Sequence, residues 1–304
     1  MGPKKIIVLY GGESSEREVS IESGKNIYSA ILELGYEARL VDYPREFSSD
    51  ILQDYNFVFI ALHGRDGESG VLQKHLSEYG ISYSGSDSDA CLNTWNKSRC
   101  KELLSNNNIP TPRWASLAQL SESAADLSRL KEEMFMPPYP FFLKPEEDGS
   151  SIDVFKIHNE QDMHEAIKNC TNKSRPFILE ESIDYRELTV PILNGVCLPS
   201  VEIITSESFY NYEAKYIRDD TQLVSLNLSK ADQLKLDTLC FKAFNSLGCK
   251  GWARIDLLQD IDGNFYILEV NTVPGMTTHS LFPSSAKIAG LDYKSLVGEI
   301  IEGA

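Results

Sequence analysis

The chain has 304 residues, of which 42 % are hydrophobic and 24 % are charged, and its formal net charge is −16. This length is expected to form roughly two or three domains, and the composition is that of an ordinary globular protein. The negative charge argues against nucleic acid and against an anionic membrane surface as partners, because both require a basic patch. An anionic substrate is still possible if lysines, arginines or a metal are placed locally.

The cysteines and the N-terminal sequence indicate in which cellular compartment the protein is expected. The cysteines show neither C-x-x-C spacing nor histidine partners at metal-ligand intervals, which favours buried thiols in a reducing compartment over disulfides. The apolar run at residues 6–10 is too short for a signal peptide, and no run is long enough to span a membrane. We therefore expect a cytoplasmic protein. The cysteines are Cys91, Cys100, Cys170, Cys197, Cys240 and Cys249.

Two strand, glycine-turn and helix units open the chain. Residues 5–10 form an apolar run that ends at Gly11-Gly12, and Ser15 with Glu18 has the spacing of a capping box at the start of a helix. Residues 57–62 form a second apolar run, followed by a glycine-rich loop. These units predict an open parallel sheet in a first domain that ends near residue 90.

Two polar side chains lie in the loops of this domain. Ligands of open parallel sheets bind beyond the carboxyl ends of the strands, so we expect Glu16 and His63 to line one crevice. Taken singly, a glutamate at a helix start is more often a cap, and a histidine is more often structural.

The next segment carries a lysine and a serine-rich turn. A helix from Trp95 is followed by a strand that ends at Lys144, a turn at Gly149–Ser151 and a strand over 152–157. An ammonium group near flexible backbone N–H groups is typical of a loop that covers phosphates. There is no Walker A pattern, which excludes an ordinary P-loop.

The C-terminal third is predicted to contain two hairpins and two helices. The first hairpin turns at Asn194-Gly195, and the helices cover residues 230–247 and 292–302. Residues 205–225 are aromatic and polar with little periodicity, which favours a functional lid.

The second hairpin is the most informative stretch. Apolar runs flank Asp262-Gly263, which is typical of a two-residue turn. With that turn, Asp256 faces Glu269. Two pairs further from the turn, Arg254 faces Asn271, and side-chain alternation puts all four polar groups on one face. The alternate side chains are expected to face the core: Ile255, Leu257, Leu268 and Val270.

Directly opposed carboxylates have Cβ atoms roughly 4.5–5.5 Å apart and repel each other. A divalent cation would relieve that repulsion. Asp256, Glu269 and the amide oxygen of Asn271 form an all-oxygen set that suits Mg²⁺ or Mn²⁺. The alternative is a solvated face that tolerates the repulsion in a high local dielectric.

Several stretches along the chain occur in the same order as the motifs of a known enzyme family. They are Gly11–Ser20, Leu62–Arg65, Lys144-Pro145 with Gly149–Ser151, Tyr212–Tyr216, Gly248–Asp256 and Glu269–Thr277. Together they resemble the D-alanine:D-alanine ligase family of ATP-grasp enzymes, from about residue 5 to about residue 300. Such a set is far more specific than any single motif.

The resemblance implies an α/β chain with a three-domain ATP-grasp architecture and an N-terminal open parallel-sheet domain. Residues 1–90 would bind substrate, 91–183 would form the central ATP-grasp subdomain, and 184–304 would form the C-terminal catalytic domain with its lid at 205–225. ATP would lie between the central and C-terminal sheets. A homodimer is usual in the family and is expected here.

The resemblance also implies a two-step reaction. The carboxylate of one D-alanine takes the γ-phosphoryl group of ATP to give an acyl phosphate. The amine of a second D-alanine then displaces phosphate, which forms the dipeptide for peptidoglycan precursor synthesis. The residues implied for ATP and metal are Asp256, Glu269 and Asn271 for two Mg²⁺ ions, with Mn²⁺ as a possible substitute; Lys97, Lys144, Ser151 and Lys215 for phosphates; and Glu180 and Glu187 for adenine and ribose.

The resemblance further implies roles around the two D-alanine molecules. Arg254 and the backbone N–H of Gly275 would stabilise the oxyanion that forms during amine attack. The remaining residues are Glu16 for the first ammonium group, near His63; Ser150, which would hydrogen-bond Glu16 and Tyr216 to close the lid; and Ser280 and Leu281 for the second carboxylate.

Some positions depart from the family pattern, and we expect activity with altered ATP affinity. A ligase that forms a D-alanine:D-lactate ester is one alternative, against which Tyr216 argues. An inactive nucleotide-binding scaffold is the other, against which the intact polar set argues. The departures are Asn96, where Asp is frequent; Glu146-Glu147, where Ser-Arg is usual; Glu181, where Lys is frequent; and Val273, where Ser is common.

Overall fold

The computed structural model describes residues 4–120, 136–206 and 221–304. Three sheets follow one another along the described chain, with strand orders β2-β1-β3-β4, β5-β8-β6-β7 and β12-β11-β9-β13-β14, β10 being paired with β9. The strands are β1 (Lys5–Gly11), β2 (Glu37–Tyr43), β3 (Phe57–Ile60), β4 (Ser82–Tyr83), β5 (Trp114–Leu117), β6 (Phe141–Pro145), β7 (Phe155–Ile157), β8 (Phe177–Glu181), β9 (Arg186–Leu193), β10 (Val196–Cys197), β11 (Val201–Ile204), β12 (Gln222–Ser225), β13 (Trp252–Gln259) and β14 (Phe265–Asn271).

The described α-helices surround these sheets. They are α1 (Arg17–Glu33), α2 (Arg65–Glu68), α3 (Val71–Glu78), α4 (Ser88–Trp95), α5 (Lys97–Asn106), α6 (Glu160–Asn169), α7 (Lys230–Ser246), α8 (Leu281–Ile288) and α9 (Tyr293–Glu302). None of the helices in the described ranges is long and apolar enough to cross a membrane.

The first sheet is parallel, as the sequence predicts. Its β1 and β3 strands are almost fully buried because both faces are covered. The core on one face combines Ile6 and Ile27 with Leu296 and Ile300 of α9. Both ends of the chain therefore build this core, and the domain limits expected from the sequence stay predictions.

The start of α1 differs from the prediction of a capping box at Ser15 and Glu18. Glu16 is the N-cap residue, and within the described residues its side chain makes no capping hydrogen bond. Ser14 contacts this turn instead: its hydroxyl accepts from the Glu16 backbone N–H at 3.2 Å and donates to the His63 carbonyl at 2.9 Å. The serine thus links the two glycine loops of the sheet, a long-range contact that the local pattern could not reveal.

The helix predicted from Trp95 is interrupted at Asn96, where the backbone is extended. The Asn96 side chain accepts from the Arg99 backbone N–H at 2.9 Å and so caps α5. Lys97, the first residue of α5, contacts the loop that follows β6 of the second sheet. Further on, the strand predicted over 152–157 begins only at Phe155.

The turn at Asn194-Gly195 is confirmed, with φ angles of 47° and 79°, as this type of hairpin requires. The expected lid segment 205–225 is partly a strand, because Gln222–Ser225 pairs with β11. Residues 207–220 lie outside the described ranges.

The β13–β14 hairpin has the predicted pairs Asp256 with Glu269 and Arg254 with Asn271, but the predicted two-residue turn is wrong. Asp260 and Asn264 close the loop by a backbone hydrogen bond of 3.0 Å, so residues 261–263 form it. The register shifts again after Asp256, where Leu257 pairs with Ile267 and leaves Leu268 in a bulge.

The bulge also overturns the expected position of Leu268. Because a bulged strand places an extra residue opposite one partner, alternation is broken at this point. Leu268 therefore lines a cavity together with Glu269, whereas Ile255, Leu257 and Val270 belong to the core as predicted.

Candidate active site

Two cavities meet between the sheets. The central cavity, about 460 Å³, lies between the second and third sheets. The N-terminal cavity, about 780 Å³, lies between the loops of the first sheet and the C-terminal end of β14. The residues that line both cavities are Lys97, Asp148, Gly149, Ser150, Arg254 and Glu269.

The polar face of the hairpin forms one wall of this junction. Asp256 is 5 % exposed, and its Oδ1 accepts from Thr189 Oγ1 at 2.7 Å. Arg254 donates to the same carboxylate from Nε at 2.9 Å and from Nη2 at 2.6 Å. A guanidinium group therefore offsets the charge of Asp256 opposite Glu269.

The donor set on this face fits a hard divalent cation in its chemistry. Asp256 and Glu269 offer carboxylate oxygens and Asn271 an amide oxygen, which are ligands that Mg²⁺ accepts. Within the described ranges, no group of three or more His, Cys, Asp or Glu side chains is arranged to hold a metal. The third ligand would therefore have to be Asn271, whose Oδ1 accepts from the Val273 backbone N–H at 3.0 Å.

Glu180, expected at the adenine, is a buried carboxylate between two lysines. Lys144 contacts Oε1, and Lys101 lies 2.6 Å from Oε2. Burial by itself would raise the pKa of Glu180, but attraction to Lys101 and Lys144 prevails and lowers it to about 2. The carboxylate is therefore ionised at neutral pH, and Lys144 lines the central cavity beside it.

Lys97 holds the loop that follows Lys144. Its backbone N–H donates to the Glu146 carbonyl at 2.9 Å, and its Nζ donates to the Asp148 carbonyl at 2.7 Å. Burial lowers the pKa of Lys97. The departures at 146 and 147 do not place charge in either cavity, because neither side chain lines one and Glu147 accepts from the Asn96 amide at 3.0 Å.

The serine-rich turn has unusual backbone geometry. Ser150, Ser151 and Asp153 have φ angles of 55°, 57° and 52°, a region that costs free energy for residues other than glycine. Arg175 bonds Asp148 at one end of the turn and Asp153 at the other. One guanidinium group thus stabilises both ends of the segment that contains both predicted serines.

Glu16 lies where the glycine loops of two sheets approach each other. A Cβ atom placed on Gly149 would be 2.8 Å from Glu16 Oε2, and one on Gly64 would be 3.2 Å from it. A side chain at either position would therefore displace the Glu16 carboxylate from its place between the loops. Glu16 lines the N-terminal cavity, as expected from the sequence.

His63 lines the same cavity but is 3 % exposed and fully hydrogen-bonded. Its Nδ1 lies 3.0 Å from the Val273 carbonyl, and its Nε2 lies 3.2 Å from Ser23 Oγ. A carbonyl only accepts, so the network assigns the ring proton to Nδ1. Burial is the main cause that lowers the pKa of His63, so the imidazole is neutral at neutral pH.

The far end of the N-terminal cavity is the start of α8. Ser280 is the N-cap residue, and its Oγ accepts from the Thr277 backbone N–H at 3.0 Å. Leu281 begins the helix, and both residues line the cavity with Gly275. A helix N-terminus presents unpaired backbone N–H groups that favour an anion such as a carboxylate.

Every predicted site residue within the described ranges lines one of the two cavities, including Ser151 and Glu187 in the central one. Lys215 and Tyr216 lie outside the described ranges. The individual roles of these residues stay predictions.

Sequence reasoning missed four further residues at or behind the cavities. The other buried residues of α5 are small or apolar, and Lys101 is the exception. That exception is the only feature of the sequence that could have indicated its role. Glu68 lines the N-terminal cavity and accepts from the Gly64 backbone N–H at 2.7 Å. Burial, and then repulsion from Glu16, raises the pKa of Glu68 well above its usual range. Thr189 and Arg175 gave no local signal, because each acts on residues distant in sequence.

Comparison with known proteins decides the family. The model of the family described as "D-ala D-ala ligase C-terminus" matches residues 103–302. A D-alanine--D-alanine ligase of Glaesserella parasuis is 38 % identical over 301 residues, which is 98 % of this chain and 97 % of that protein. The chain belongs to the D-alanine–D-alanine ligase family.

Two further relatives agree with this assignment. A D-alanine--D-alanine ligase of Alcanivorax borkumensis is 39 % identical over 98 % of this chain and 92 % of its own. The crystal structure of the Bacillus anthracis D-alanine--D-alanine ligase complexed with ATP has a TM-score of 0.83 and 28 % identity, covering 99 % of this chain and 97 % of its own. The fold is therefore that of the D-alanine–D-alanine ligases, and the expected α/β ATP-grasp architecture is confirmed.

Proposed function

We propose that this protein joins two D-alanine molecules into D-alanyl-D-alanine and converts ATP to ADP and phosphate. The observation that carries the proposal is the junction of the two cavities at Lys97, residues 148–150, Arg254 and Glu269. A nucleotide in the central cavity and amino acids in the N-terminal cavity would meet there. The family assignment supports the same reaction.

In the central cavity, Lys97 and Lys144 bind the phosphates of ATP, with Ser151 in the loop above them. Glu187 contacts the ribose, and Glu180 lies on the adenine side. Phosphoryl transfer depends mainly on positioning and on charge neutralisation, which these residues supply. A carboxylate oxygen of the first D-alanine attacks the γ-phosphorus, and the bond to the β-phosphate oxygen breaks to release ADP.

In the N-terminal cavity, Glu16 pairs with the ammonium group of the first D-alanine. Ser280 and the N-terminus of α8 at Leu281 hold the carboxylate of the second. Its amine attacks the carbonyl carbon of the acyl phosphate, with Arg254 and the backbone N–H of Gly275 as donors to the oxyanion. Phosphate leaves and the amine loses a proton. Ser150, at the junction, would hydrogen-bond Glu16 and Tyr216, and Lys215 would reach the γ-phosphate; Lys215 and Tyr216 lie outside the described ranges.

We further propose that Asp256, Glu269 and Asn271 hold Mg²⁺, or Mn²⁺ in its place. The bound ions would neutralise charge on the phosphates of ATP. Arg254 would then have to share Asp256 with a cation, because it donates to both carboxylate oxygens in this structure.

We also propose a cytoplasmic homodimer that acts in peptidoglycan precursor synthesis. All six cysteines are free thiols and none forms a disulfide, which supports a reducing compartment. The family resemblance supports the dimer and the pathway. The net charge of −16 disfavours nucleic acid and anionic membranes as partners.

The test is D-alanine-dependent release of ADP in the presence of Mg²⁺, with the dipeptide identified by mass spectrometry. We expect D-alanyl-D-alanine as the product and no ADP release without D-alanine. A preference for D-lactate as second substrate would favour the ester-forming alternative. Absence of D-alanine-dependent ADP release would favour the inactive scaffold.

A further inference from the structure

Lys101 has no place in the roles proposed above. Its side chain is 1 % exposed and lines neither cavity. It lies on α5, one turn after Lys97. A lysine is almost never buried so completely unless it is paired, and its partner is the carboxylate of Glu180 at 2.6 Å.

The two lysines on Glu180 differ in what else they can reach. The Lys144 side chain is 13 % exposed and lines the central cavity. Lys101 is fixed behind Glu180, because its Nζ also donates to Thr111 Oγ1 at 2.9 Å. That hydroxyl in turn donates to the Ile267 carbonyl of β14 at 2.8 Å. Lys144 can therefore turn toward a ligand, whereas Lys101 cannot.

A charge count shows what Lys101 contributes. Glu180 carries one negative charge and Lys101 and Lys144 one positive charge each, so the cluster has a surplus of one positive charge. Because Lys101 is fixed away from the cavity, that surplus is available on Lys144. Without Lys101, Glu180 would neutralise Lys144, and the cluster would offer no net charge to a polyphosphate. The effect is strong because charges interact more strongly away from water.

We propose that Lys101 is a positioning residue for ATP, which neutralises Glu180 and so leaves the charge of Lys144 available to the phosphates. This inference rests on the proposed function, in which Lys144 binds phosphate.

The first test compares Lys101→Met with Lys242→Met, which removes an exposed lysine of α7. For Lys101→Met we expect the KM for ATP to rise about tenfold or more, while kcat and the KM for D-alanine change by less than about threefold. Lys242→Met should leave all three constants unchanged. An unchanged KM for ATP in folded Lys101→Met would overturn the inference.

The second test is a charge rescue. Combining Lys101→Met with Glu180→Gln restores one positive charge on Lys144, so the KM for ATP of the double variant should fall from that of Lys101→Met to within about threefold of that of Glu180→Gln alone, the variant that shares its change beside the adenine. A purely structural role of Lys101 would give no recovery. The double variant also lacks an unpaired buried charge, so it is expected to fold even if Lys101→Met does not.

If Lys101→Met does not fold, the double variant is compared with Glu180→Gln alone. Against this background, loss of Lys101 should raise the KM for ATP by less than about threefold, because its effect passes through the charge of Glu180. A loss as large as about tenfold there would overturn the inference. Lys144→Met distinguishes failure of the proposed role of Lys144 from failure of the inference about Lys101. If it leaves the KM for ATP unchanged, the proposed role of Lys144 fails; if only Lys101→Met has no effect, the inference alone fails.

Discussion

Arg254 donates to both carboxylate oxygens of Asp256, from Nε at 2.9 and 3.2 Å and from Nη2 at 2.6 Å. The two residues lie on the same face of β13, and Asp256 is paired in register with Glu269. The opposed carboxylates therefore already have a cationic neighbour. Their repulsion does not by itself require a metal, and the metal proposal depends on the oxygen donors and on their position at the cavities.

The first prediction concerns Asp256→Asn. Two donors, Arg254 and Thr189, stabilise this carboxylate, so the variant should lose about 1–2 kcal/mol of unfolding free energy rather than gain stability by reduced repulsion. It should also need more Mg²⁺ for the same rate of ADP release. Thermal unfolding and a Mg²⁺ titration test both statements, with Asp262→Asn in the exposed turn as the control.

Two outcomes would contradict this account of Asp256. Unchanged turnover at limiting Mg²⁺ would remove Asp256 from the metal proposal. A variant more stable than the wild type would show that repulsion from Glu269 outweighs the hydrogen bonds of the carboxylate.

A second prediction follows from the low pKa of Glu180, which is about 2 against an ordinary value of 4.5. A lowered carboxyl pKa contributes stability that is fully present above about pH 4.5 and is lost as the pH falls toward 2. The shift corresponds to about 3 kcal/mol. Glu180→Gln should therefore flatten the pH dependence of the unfolding free energy in this window.

Urea unfolding between pH 5 and the onset of acid denaturation measures the effect of Glu180. Glu102→Gln, at an exposed position of α5, is the matched control and should keep the wild-type slope. Equal slopes for Glu180→Gln and the wild type would mean that the lysines do not hold the carboxylate in its ionised form.

The third prediction concerns Arg175, which links Asp148 to Asp153. Arg175→Met should raise the KM for ATP several-fold and expose the serine-rich turn to proteases, because that turn has strained backbone at Ser150 and Ser151. It should also cost roughly 1–2 kcal/mol of unfolding free energy, because Asp153 loses its cation but keeps the hydrogen bonds from Thr171.

The control for Arg175 is Arg113→Met. Arg113 pairs with Glu181 through a side chain that is 55 % exposed, so its loss should cost less than about 1 kcal/mol. Wild-type kinetics and protease resistance in Arg175→Met would show that the turn keeps its conformation without this ion pair.

Sequence patterns predicted this site well where local geometry determines it. The pairing of Asp256 with Glu269 was correct even though the turn was not, because the longer loop and the bulge at Leu268 shift the register in opposite directions. The strand ends and helix starts that carry Glu16 and Lys144 follow from periodicity and glycine positions. Their side chains could therefore be placed at the cavities from the sequence.

The unpredicted part of the site consists of contacts between distant segments. His63 bonds the Val273 carbonyl, and Lys101 pairs with Glu180 across two elements. The periodicity of the sequence does not reveal such pairs, because each depends on how the sheets pack. Only the pair of Lys101 and Glu180 had a local indication, because Lys101 lies among small and apolar residues on the buried face of α5.

The last prediction concerns Ser280→Ala. The Ser280 hydroxyl accepts from the Thr277 backbone N–H and lines the N-terminal cavity at the start of α8. A Cβ atom on Gly275 would lie 2.9 Å from this hydroxyl, so the two positions are closely packed. Loss of a hydrogen bond to a carboxylate should raise the KM for the second D-alanine about tenfold and leave the KM for ATP unchanged.

D-alanine saturation curves fitted with two Michaelis constants separate the effects on the two substrate positions. Ser284→Ala, one turn further along α8 and lining neither cavity, is the matched control and should behave as the wild type. If the KM for ATP or for the first D-alanine rises as much as that for the second, Ser280 acts on the whole junction through Thr277 and Gly275. Its assignment to the second carboxylate is then wrong.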